Sequence, residues 1–255
     1  MKYGICCVSV APVRSNHDDR SEMVTQLLFG EKVEIIAEHK NWIKIMAHFD
    51  SYIGWVDPKQ FFEVSQNEYQ IWDSNFYTSE LFNLMIENNN PLTLTLGANI
   101  HYSPENKIII GDKTFEYLGE TLNSSSNSMT VADIAKLYIN TPYVWGGKSN
   151  FGIDCSGLVQ QVYKLKNIKL PRDASQQAKI GEILSFVEET QMGDLAFFDN
   201  EEGDIIHVGI ILDDQKIIHA HGKVRIDPLD STGIFNTDLQ QYSHKLRFLK
   251  RISEL

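Results

Sequence analysis

The chain has 255 residues, of which 42% are hydrophobic, and a formal net charge of −11 at pH 7. An acidic protein is poorly suited to bind polyanionic nucleic acid or anionic lipid surfaces, so we expect neither as a partner. No apolar run in the sequence reaches the length of a membrane span.

The amino terminus shows no export signal. Residues 1–7 lack a long apolar run, and the charged residues 18–20 follow soon afterwards. The three cysteines, Cys6, Cys7 and Cys155, cannot form a full disulfide framework, which favours a reducing compartment. We therefore expect a cytoplasmic protein, or a periplasmic or secreted one if an export signal has been trimmed away.

The amino-terminal half is predicted to be rich in β-strands. Between residues 24 and 63, short runs of alternating apolar and polar residues are separated by glycine and polar turns. A weaker copy of this pattern lies between residues 64 and 125, with strands predicted within 92–100 and 107–117. The polar run 123–128 is predicted to be a linker.

The carboxy-terminal half begins with an amphipathic helix predicted over residues 130–138. A second helix is predicted after Asp154 and Cys155, because apolar residues recur at helical spacing between positions 158 and 165. Asp154 is the predicted N-cap, and Cys155 lies in the first turn. The helix dipole and unpaired backbone N–H groups favour a thiolate there. From an ordinary pKa of about 8.5, a drop of about two would make the Cys155 thiol mostly thiolate at pH 7.

Two histidines follow on predicted neighbouring strands, His207 within residues 204–212 and His219 within 216–221. Antiparallel pairing places both imidazoles on one face, where His207 contacts Cys155 and His219 orients the far nitrogen of His207. The alternatives are a buried structural cysteine with core histidines, or a metal site that also includes His221. Because no Cys-x-x-Cys or His-Glu-x-x-His pattern completes such a site, we expect neither a metal nor a cofactor.

From residue 129 to 255 the chain resembles the NlpC/P60 family of cysteine peptidases, papain-like enzymes that cut bacterial cell-wall peptides. The resemblance rests on six motifs that occur in the family's order: Pro-Tyr-Val-Trp-Gly-Gly at 142–147, Asp-Cys-Ser-Gly at 154–157, Leu-Pro-Arg-Asp at 170–173, Gly-Asp-Leu-Ala-Phe-Phe at 193–198, His-Val-Gly-Ile at 207–210 and Ile-His-Ala at 218–220.

The resemblance implies a role for each matching residue. Cys155 is the nucleophile, His207 the base and His219 the residue that orients the base. Tyr143 polarises the scissile carbonyl and forms an oxyanion hole with the backbone N–H of Cys155. The positions of Trp145 and Ser156 line the cleft in the family.

The upstream strands resemble bacterial SH3-like barrels, in which a Gly-Glu turn leads one strand and a Gly-Trp-Val strand closes the unit. The predicted fold class is therefore α+β: a papain-like NlpC/P60 domain preceded by two all-β SH3-like barrel domains. The predicted domains are residues 1–63, residues 64–125 and a catalytic domain over 126–255.

This domain order is similar to that of the γ-D-glutamyl-L-diamino acid endopeptidases of murein recycling. It implies cleavage between γ-D-Glu and a diamino acid, L-Lys or meso-diaminopimelate, in murein peptides with a free N-terminal L-Ala. In these enzymes the first SH3-like domain closes the amino-terminal side of the cleft. A substrate ammonium in a closed pocket needs carboxylate partners, and Asp173, Glu22 and Tyr52 are the matching residues. Ala174 stands where the family often has a serine.

Other interpretations of the sequence remain open. Glu22 can be a solvated surface acid and Tyr52 a barrel core aromatic. The protein can be a general hydrolase of intact murein, a catalytically silent protein whose SH3-like domains bind the cell wall, or an acyltransferase on the same scaffold. The intact set of Cys155, His207 and His219 argues against a silent domain.

Overall fold

The computed structural model describes residues 2–72, 75–101 and 107–252. The chain forms two compact units. The first comprises Met1–Asn127 together with Trp145–Asn150, and the second comprises Ser128–Val144 with Phe151–Leu255. The division of the first unit into two domains at residue 63 stays a prediction. In the described part of the chain, no helix combines the length and apolar character needed to cross a membrane.

The first unit consists mostly of strands. Its elements are β1 (Lys2–Cys6), β2 (Val10–Arg14), β3 (Met23–Leu28), β4 (Lys32–His39), β5 (Trp42–Ala47), β6 (Ile53–Val56), β7 (Phe61–Val64), α1 (Gln66–Ile71), β8 (Phe76–Thr78), β9 (Phe82–Glu87), β10 (Asn90–Thr95), β11 (Lys107–Ile110), β12 (Lys113–Tyr117), β13 (Thr121–Asn123) and β14 (Lys148–Ser149). Short 3-10 turns lie at Pro58–Gln60 and Ser124–Ser126.

The first seven strands form one antiparallel sheet in the order β3-β2-β6-β5-β4-β1-β7. Strands β3 to β6 confirm the strands predicted between residues 24 and 63. Their alternation places Val33, Ile45 and Val56 in one buried cluster. Gly30, in the turn before β4, has φ +80°, and a Cβ atom there would lie 1.8 Å from the carbonyl oxygen of Asn99, so the turn requires glycine.

Strands β8 to β13 form a four-stranded sheet, in the order β10-β9-β12-β11, and the pair β13-β8. These elements confirm strands in the two predicted segments. Their core is shared with the first sheet, because Leu28 and Phe29 belong to one buried cluster with Met85, Leu94 and Phe115. The SH3-like character of residues 64–125 stays a prediction.

The segment Trp145–Asn150 belongs to the first unit, although its sequence neighbours belong to the second. Lys148 and Glu31 are almost fully buried there, with 3.3 Å between Nζ and Oε2. The backbone N–H of Lys148 also donates to Oε1 of Gln26 over 2.8 Å. Breaking a buried ion pair leaves an uncompensated charge, so this pair fixes the segment in place.

The second unit combines helices with an antiparallel sheet. Its elements are α2 (Val131–Leu137), β15 (Gly152–Ile153), α3 (Cys155–Lys164), α4 (Ala174–Gln177), β16 (Glu182–Leu184), β17 (Leu195–Asp199), β18 (Ile205–Leu212), β19 (Lys216–His221), β20 (Lys223–Pro228), β21 (Gly233–Asn236) and β22 (Gln241–Arg251). The sheet order is β16-β22-β17-β18-β19-β20, and β21 pairs with β22.

Helix α3 is buried along its whole length and contacts both β18 and β19. Helix α2 confirms the predicted amphipathic helix. It begins with a capping box in which Thr130 and Asp133 bond each other's backbone N–H groups. Strands β18 and β19 confirm the two predicted histidine-bearing strands, and this sheet carries the candidate site.

Candidate active site

Cys155 is the first residue of α3, and Asp154 is its N-cap, as predicted. Oδ1 of Asp154 accepts a 2.7 Å hydrogen bond from the backbone N–H of Gly157. The apolar face of the helix, including Leu158 and Val162, is fully buried. The helix therefore holds Cys155 rigidly, with only 6% of the residue exposed.

Burial favours the protonated form of the Cys155 thiol. Burial raises the pKa of Cys155 to about 12, and the neighbouring Asp154 carboxylate acts in the same direction. Hydrogen bonding from the backbone N–H of Val208 and the charge of Arg172 oppose this rise without offsetting it. Burial therefore opposes the expected resting thiolate, and a thiol that keeps its proton needs a base to remove it during attack on a substrate.

Strands β18 and β19 bring the two predicted histidines together. Nε2 of His207 lies 2.9 Å from Nδ1 of His219, and the ring planes meet at 84°. Both residues are buried. The backbone N–H that hydrogen-bonds the sulfur belongs to Val208, the residue after His207, so the thiol lies against β18.

Asp227, on β20, adds a third member to the hydrogen-bonded pair of histidines. Its Oδ2 lies 3.1 Å from Nε2 of His219. Arg225 holds the carboxylate with two bonds, of 2.6 and 2.9 Å, and the hydroxyl of Thr237 donates over 3.2 Å. Burial favours a neutral acid, but the hydrogen bonds from His219 and Arg225 prevail and keep the pKa of Asp227 well below its ordinary value. Asp227 is therefore an anion.

The anionic Asp227 fixes the tautomers of both histidines. It accepts the Nε2 proton of His219, so Nδ1 of His219 carries a lone pair and accepts the Nε2 proton of His207. The lone pair of His207 is then on Nδ1. Burial, followed by the neighbouring histidines, holds the pKa of His207 well below its ordinary value, so this nitrogen is an available base at neutral pH.

His244, on β22, is a further imidazole that sequence reasoning missed. Its ring stacks on that of His207, with centroids 4.1 Å apart and planes at 20°. Burial lowers the pKa of His244 to about 3, and its Nδ1 lies 2.9 Å from the hydroxyl of Ser243. The imidazole nitrogens of His207, His219 and His244 lie within 4.8 Å of one another. The sequence had suggested His221 as the third member of such a set.

Arg172 anchors the cap of α3 from the Leu-Pro-Arg-Asp segment. It is 1% exposed and forms a bidentate pair with Asp154, at 2.9 and 2.5 Å. It also donates to the hydroxyl of Ser156 over 2.9 Å. Burial lowers the pKa of Arg172, but the Asp154 carboxylate more than offsets this. The Ser156 hydroxyl thus belongs to a buried polar network, and its role toward a substrate stays a prediction.

Tyr143 is half-buried and electrostatically coupled to Cys155. Its backbone N–H donates to the carbonyl of Gly222 over 2.9 Å, which fixes its position beside the histidine-bearing sheet. Burial, and then the Cys155 thiol, raise the pKa of its hydroxyl to about 12. The hydroxyl keeps its proton and can donate it to an oxyanion, as can the backbone N–H at the first position of α3.

Asp173, the other substrate residue predicted in this unit, immediately precedes α4. It is half-buried, and its side chain makes no capping bond to that helix. The serine often found next in the family is Ala174 here, and it is buried. The predicted contact between Asp173 and a substrate ammonium stays a prediction.

In the first unit, Glu22 precedes β3 and Tyr52 precedes β6, and both strands pair with β2. Glu22 is exposed, whereas Tyr52 is half-buried and packs against the barrel core. The structure joins Glu22 to Trp145, whose Nε1 donates to Oε1 over 2.7 Å. This bond fixes one carboxylate oxygen of Glu22 in a defined position.

A cysteine at the start of a buried helix, beside a sheet that carries a hydrogen-bonded His-His-Asp series, defines the class of a cysteine peptidase. Comparison with known proteins identifies the family. The NlpC/P60 family model matches residues 140–242, and the model of the bacterial dipeptidyl-peptidase SH3 domain matches residues 13–61.

Whole-chain relatives agree with these matches. The γ-D-glutamyl-L-lysine dipeptidyl-peptidase of Bacillus subtilis is 30% identical over 213 residues, which cover 77% of this chain and 71% of the relative. The Bacillus cereus protein of the same name is 27% identical over 259 residues, which cover 90% of this chain and 76% of the relative. The chain therefore belongs to the NlpC/P60 family of cysteine peptidases and carries a bacterial SH3 domain in its amino-terminal part.

The fold itself is also found in a solved structure. The crystal structure of an NlpC/P60 family protein from Bacillus cereus matches with a TM-score of 0.83, at 20% sequence identity, over 98% of this chain and 99% of that one.

Proposed function

We propose that this protein hydrolyses the bond between γ-D-Glu and a diamino acid in murein peptides that begin with a free L-Ala, as part of cell-wall peptide recycling. The observation that carries the chemistry is the hydrogen-bonded order Asp227, His219, His207, which leaves a lone pair on His207 in the region of the Cys155 thiol. The names of the two Bacillus relatives support the γ-D-glutamyl substrate class.

The proposed reaction starts from a neutral thiol and a neutral imidazole. The sulfur of Cys155 attacks the γ-carbonyl of D-Glu while Nδ1 of His207 takes the thiol proton. The Tyr143 hydroxyl and the backbone N–H of Cys155 donate to the resulting oxyanion. His207 then gives its proton to the nitrogen of the diamino acid, the C–N bond breaks, and a thioester remains.

Water completes the cycle. His207 removes a proton from a water molecule, which attacks the thioester, and the proton returns to the sulfur as the dipeptide leaves. Throughout, His219 and Asp227 stabilise the imidazolium that His207 becomes, because the charge is partnered within the buried site. Burying an imidazolium without such a partner costs free energy. The Asp227 carboxylate, at the end of the hydrogen-bonded series, offsets this cost.

The free-amine requirement assigns the substrate ammonium to Asp173, Glu22 and Tyr52. The family resemblance supports this assignment, and the Glu22 carboxylate that Trp145 holds supplies a positioned negative charge. An ammonium needs such partners when it leaves water, whereas a general murein hydrolase has no need of them.

The test is mass spectrometry of two reactions run in parallel. One contains the tripeptide L-Ala-γ-D-Glu-diamino acid, in its L-Lys and meso-diaminopimelate forms, and the other contains intact murein sacculi. We expect release of the free diamino acid from the tripeptide and no solubilisation of the sacculi. Cleavage of the sacculi at a comparable rate supports a general wall hydrolase, and transfer to an added amine in place of water supports an acyltransferase.

A further inference from the structure

We propose that His207, His219 and His244 form a binding site for a zinc-class divalent transition-metal ion that inhibits the enzyme reversibly. In the described part of the chain these three residues offer one imidazole nitrogen each, all within 4.8 Å of one another. Imidazole is a preferred ligand of Zn²⁺, Cu²⁺ and Ni²⁺ and a poor one for Mg²⁺ and Ca²⁺. The site therefore selects for transition metals.

The outer hydrogen bonds of two of these histidines are those of metal ligands. His219 donates from Nε2 to Asp227 and presents the lone pair of Nδ1. His244 contacts the Ser243 hydroxyl through Nδ1 over 2.9 Å, which leaves Nε2 for an ion. A carboxylate behind a histidine fixes its tautomer and raises its affinity for a metal, as Asp227 does for His219.

Metal binding requires limited movement within the cluster. In tetrahedral coordination at about 2.0 Å per Zn–N bond, two nitrogens lie about 3.3 Å apart. The Nε2 of His207 and Nδ1 of His219 are 2.9 Å apart, so the pair has to open slightly to admit the ion. The ring of His244, stacked on His207 in the structure, has to turn so that its lone pair faces the same point.

The bound ion would inhibit the enzyme because it changes which nitrogen of His207 carries a proton. For Nε2 of His207 to bind the ion, the single proton of this neutral ring moves from Nε2 to Nδ1. With the proton on Nδ1, His207 has no lone pair to accept the thiol proton of Cys155, so it cannot act as the base that generates the nucleophile. The ion thus blocks the catalytic base.

The decisive experiment measures metal binding without turnover. The full-length Cys155→Ala protein is titrated with Zn²⁺ against a chromogenic chelator. We expect one tight Zn²⁺ per chain in both wild type and Cys155→Ala, and a loss of affinity of about tenfold or more in His244→Phe and His244→Gln. His221→Phe is the matched control, because that imidazole lies 4.8 Å from His244 between ring centroids but is outside the set of three.

Activity provides the second arm, which rests on the proposed function. Zn²⁺ is expected to inhibit tripeptide cleavage, EDTA to restore it, and Mg²⁺ to have no effect. Loss of binding in Cys155→Ala, or unchanged binding in both His244 variants with their melting curves unchanged, overturns the proposal. The Zn²⁺ titration needs no substrate, so it still tests the metal site if the tripeptide is not cleaved.

Discussion

Asp227 accepts a hydrogen bond from Nε2 of His219 over 3.1 Å, and Arg225 clamps the same carboxylate with two further bonds. The carboxylate is buried, so it does not exchange this partner for water. Its position determines which nitrogen of His219 carries a proton, and through His219 which nitrogen of His207 does. A residue that touches no substrate therefore sets the protonation of the base.

The substitution Asp227→Asn tests this relationship. An asparagine can turn its NH₂ group toward His219, which favours the wrong tautomer, so we expect kcat to fall by about ten- to a hundredfold with little change in KM. Steady-state kinetics on the tripeptide measure both constants. The control Thr237→Val removes a weaker bond to the same carboxylate, at 3.2 Å, and should cost less than Asp227→Asn. Equal losses in the two variants contradict a tautomer role.

The three residues at the centre of the site should lose activity to different degrees. Cys155→Ala and Cys155→Ser should abolish cleavage, because neither variant provides the thiol. His207→Ala should lose nearly all activity, whereas His219→Ala should retain residual turnover since it removes only an orienting partner. Rates on the tripeptide and melting temperatures are compared for all four variants. Activity of Cys155→Ser within about tenfold of wild type rules out a cysteine mechanism.

The pH dependence follows from the two shifted groups. The pKa of His207 is lowered, so the imidazole stays a free base below its ordinary range, and the pKa of Cys155 is about 12, so the thiol does not ionise until strongly alkaline pH. We expect kcat/KM to fall only on the acid side, below the ordinary titration range of an imidazole, and to stay flat through neutral and mildly alkaline pH. A bell-shaped profile centred near neutrality indicates instead a preformed thiolate-imidazolium pair with coupled pKa values.

Sequence reasoning found the local features of the site and missed the long-range ones. Asp154 and Cys155 were predictable because a cap and the helical spacing behind it lie in one short segment. Asp227 and His244 were not, because their contacts with His219 and His207 depend on strand pairing, and no local pattern marks His244. An acid at a buried position of a strand was the available signal for Asp227.

The protonation of the Cys155 thiol depends on burial, which the sequence could not predict. The helix start favours a thiolate, but the degree of burial of Cys155 depends on how α3 packs against the sheet, and burial is the larger effect. In the first unit, the strand pattern gave β3 to β6 correctly. The inclusion of Lys148 in that unit could not be predicted, since its buried partner Glu31 is distant in sequence.

The Arg172 and Asp154 pair is expected to contribute to stability. Arg172→Met removes one partner of a buried bidentate pair and leaves the Asp154 carboxylate with its capping hydrogen bond to α3. The free energy of unfolding should therefore fall by about 3 to 5 kcal/mol. Urea denaturation measures the change. Arg172→Lys keeps the charge but only one bond, and should lose less. Arg247→Met, which removes an exposed partner of Asp199, is the control and should cost under about 1 kcal/mol.

The final prediction concerns the substrate ammonium. N-acetylation of the L-Ala removes the positive charge and adds bulk, so the acetylated tripeptide should be cut at least about tenfold more slowly than the free one. Glu22→Gln keeps an oxygen that can accept from Trp145 but removes the charge, and should slow cleavage of the free tripeptide by about fivefold. Asp173→Asn should have an effect in the same direction.

The substitution Trp145→Phe tests the position of the Glu22 carboxylate separately from its charge. It removes the indole N–H that holds Glu22 and leaves the carboxylate in place, so we expect KM for the free tripeptide to rise while kcat stays close to wild type. Cleavage of the acetylated tripeptide is the internal control, since only the free amine uses the carboxylate. Its rate should be the same in wild type, Glu22→Gln and Trp145→Phe. If these variants slow both peptides equally, Glu22 has a structural role and the ammonium is bound elsewhere.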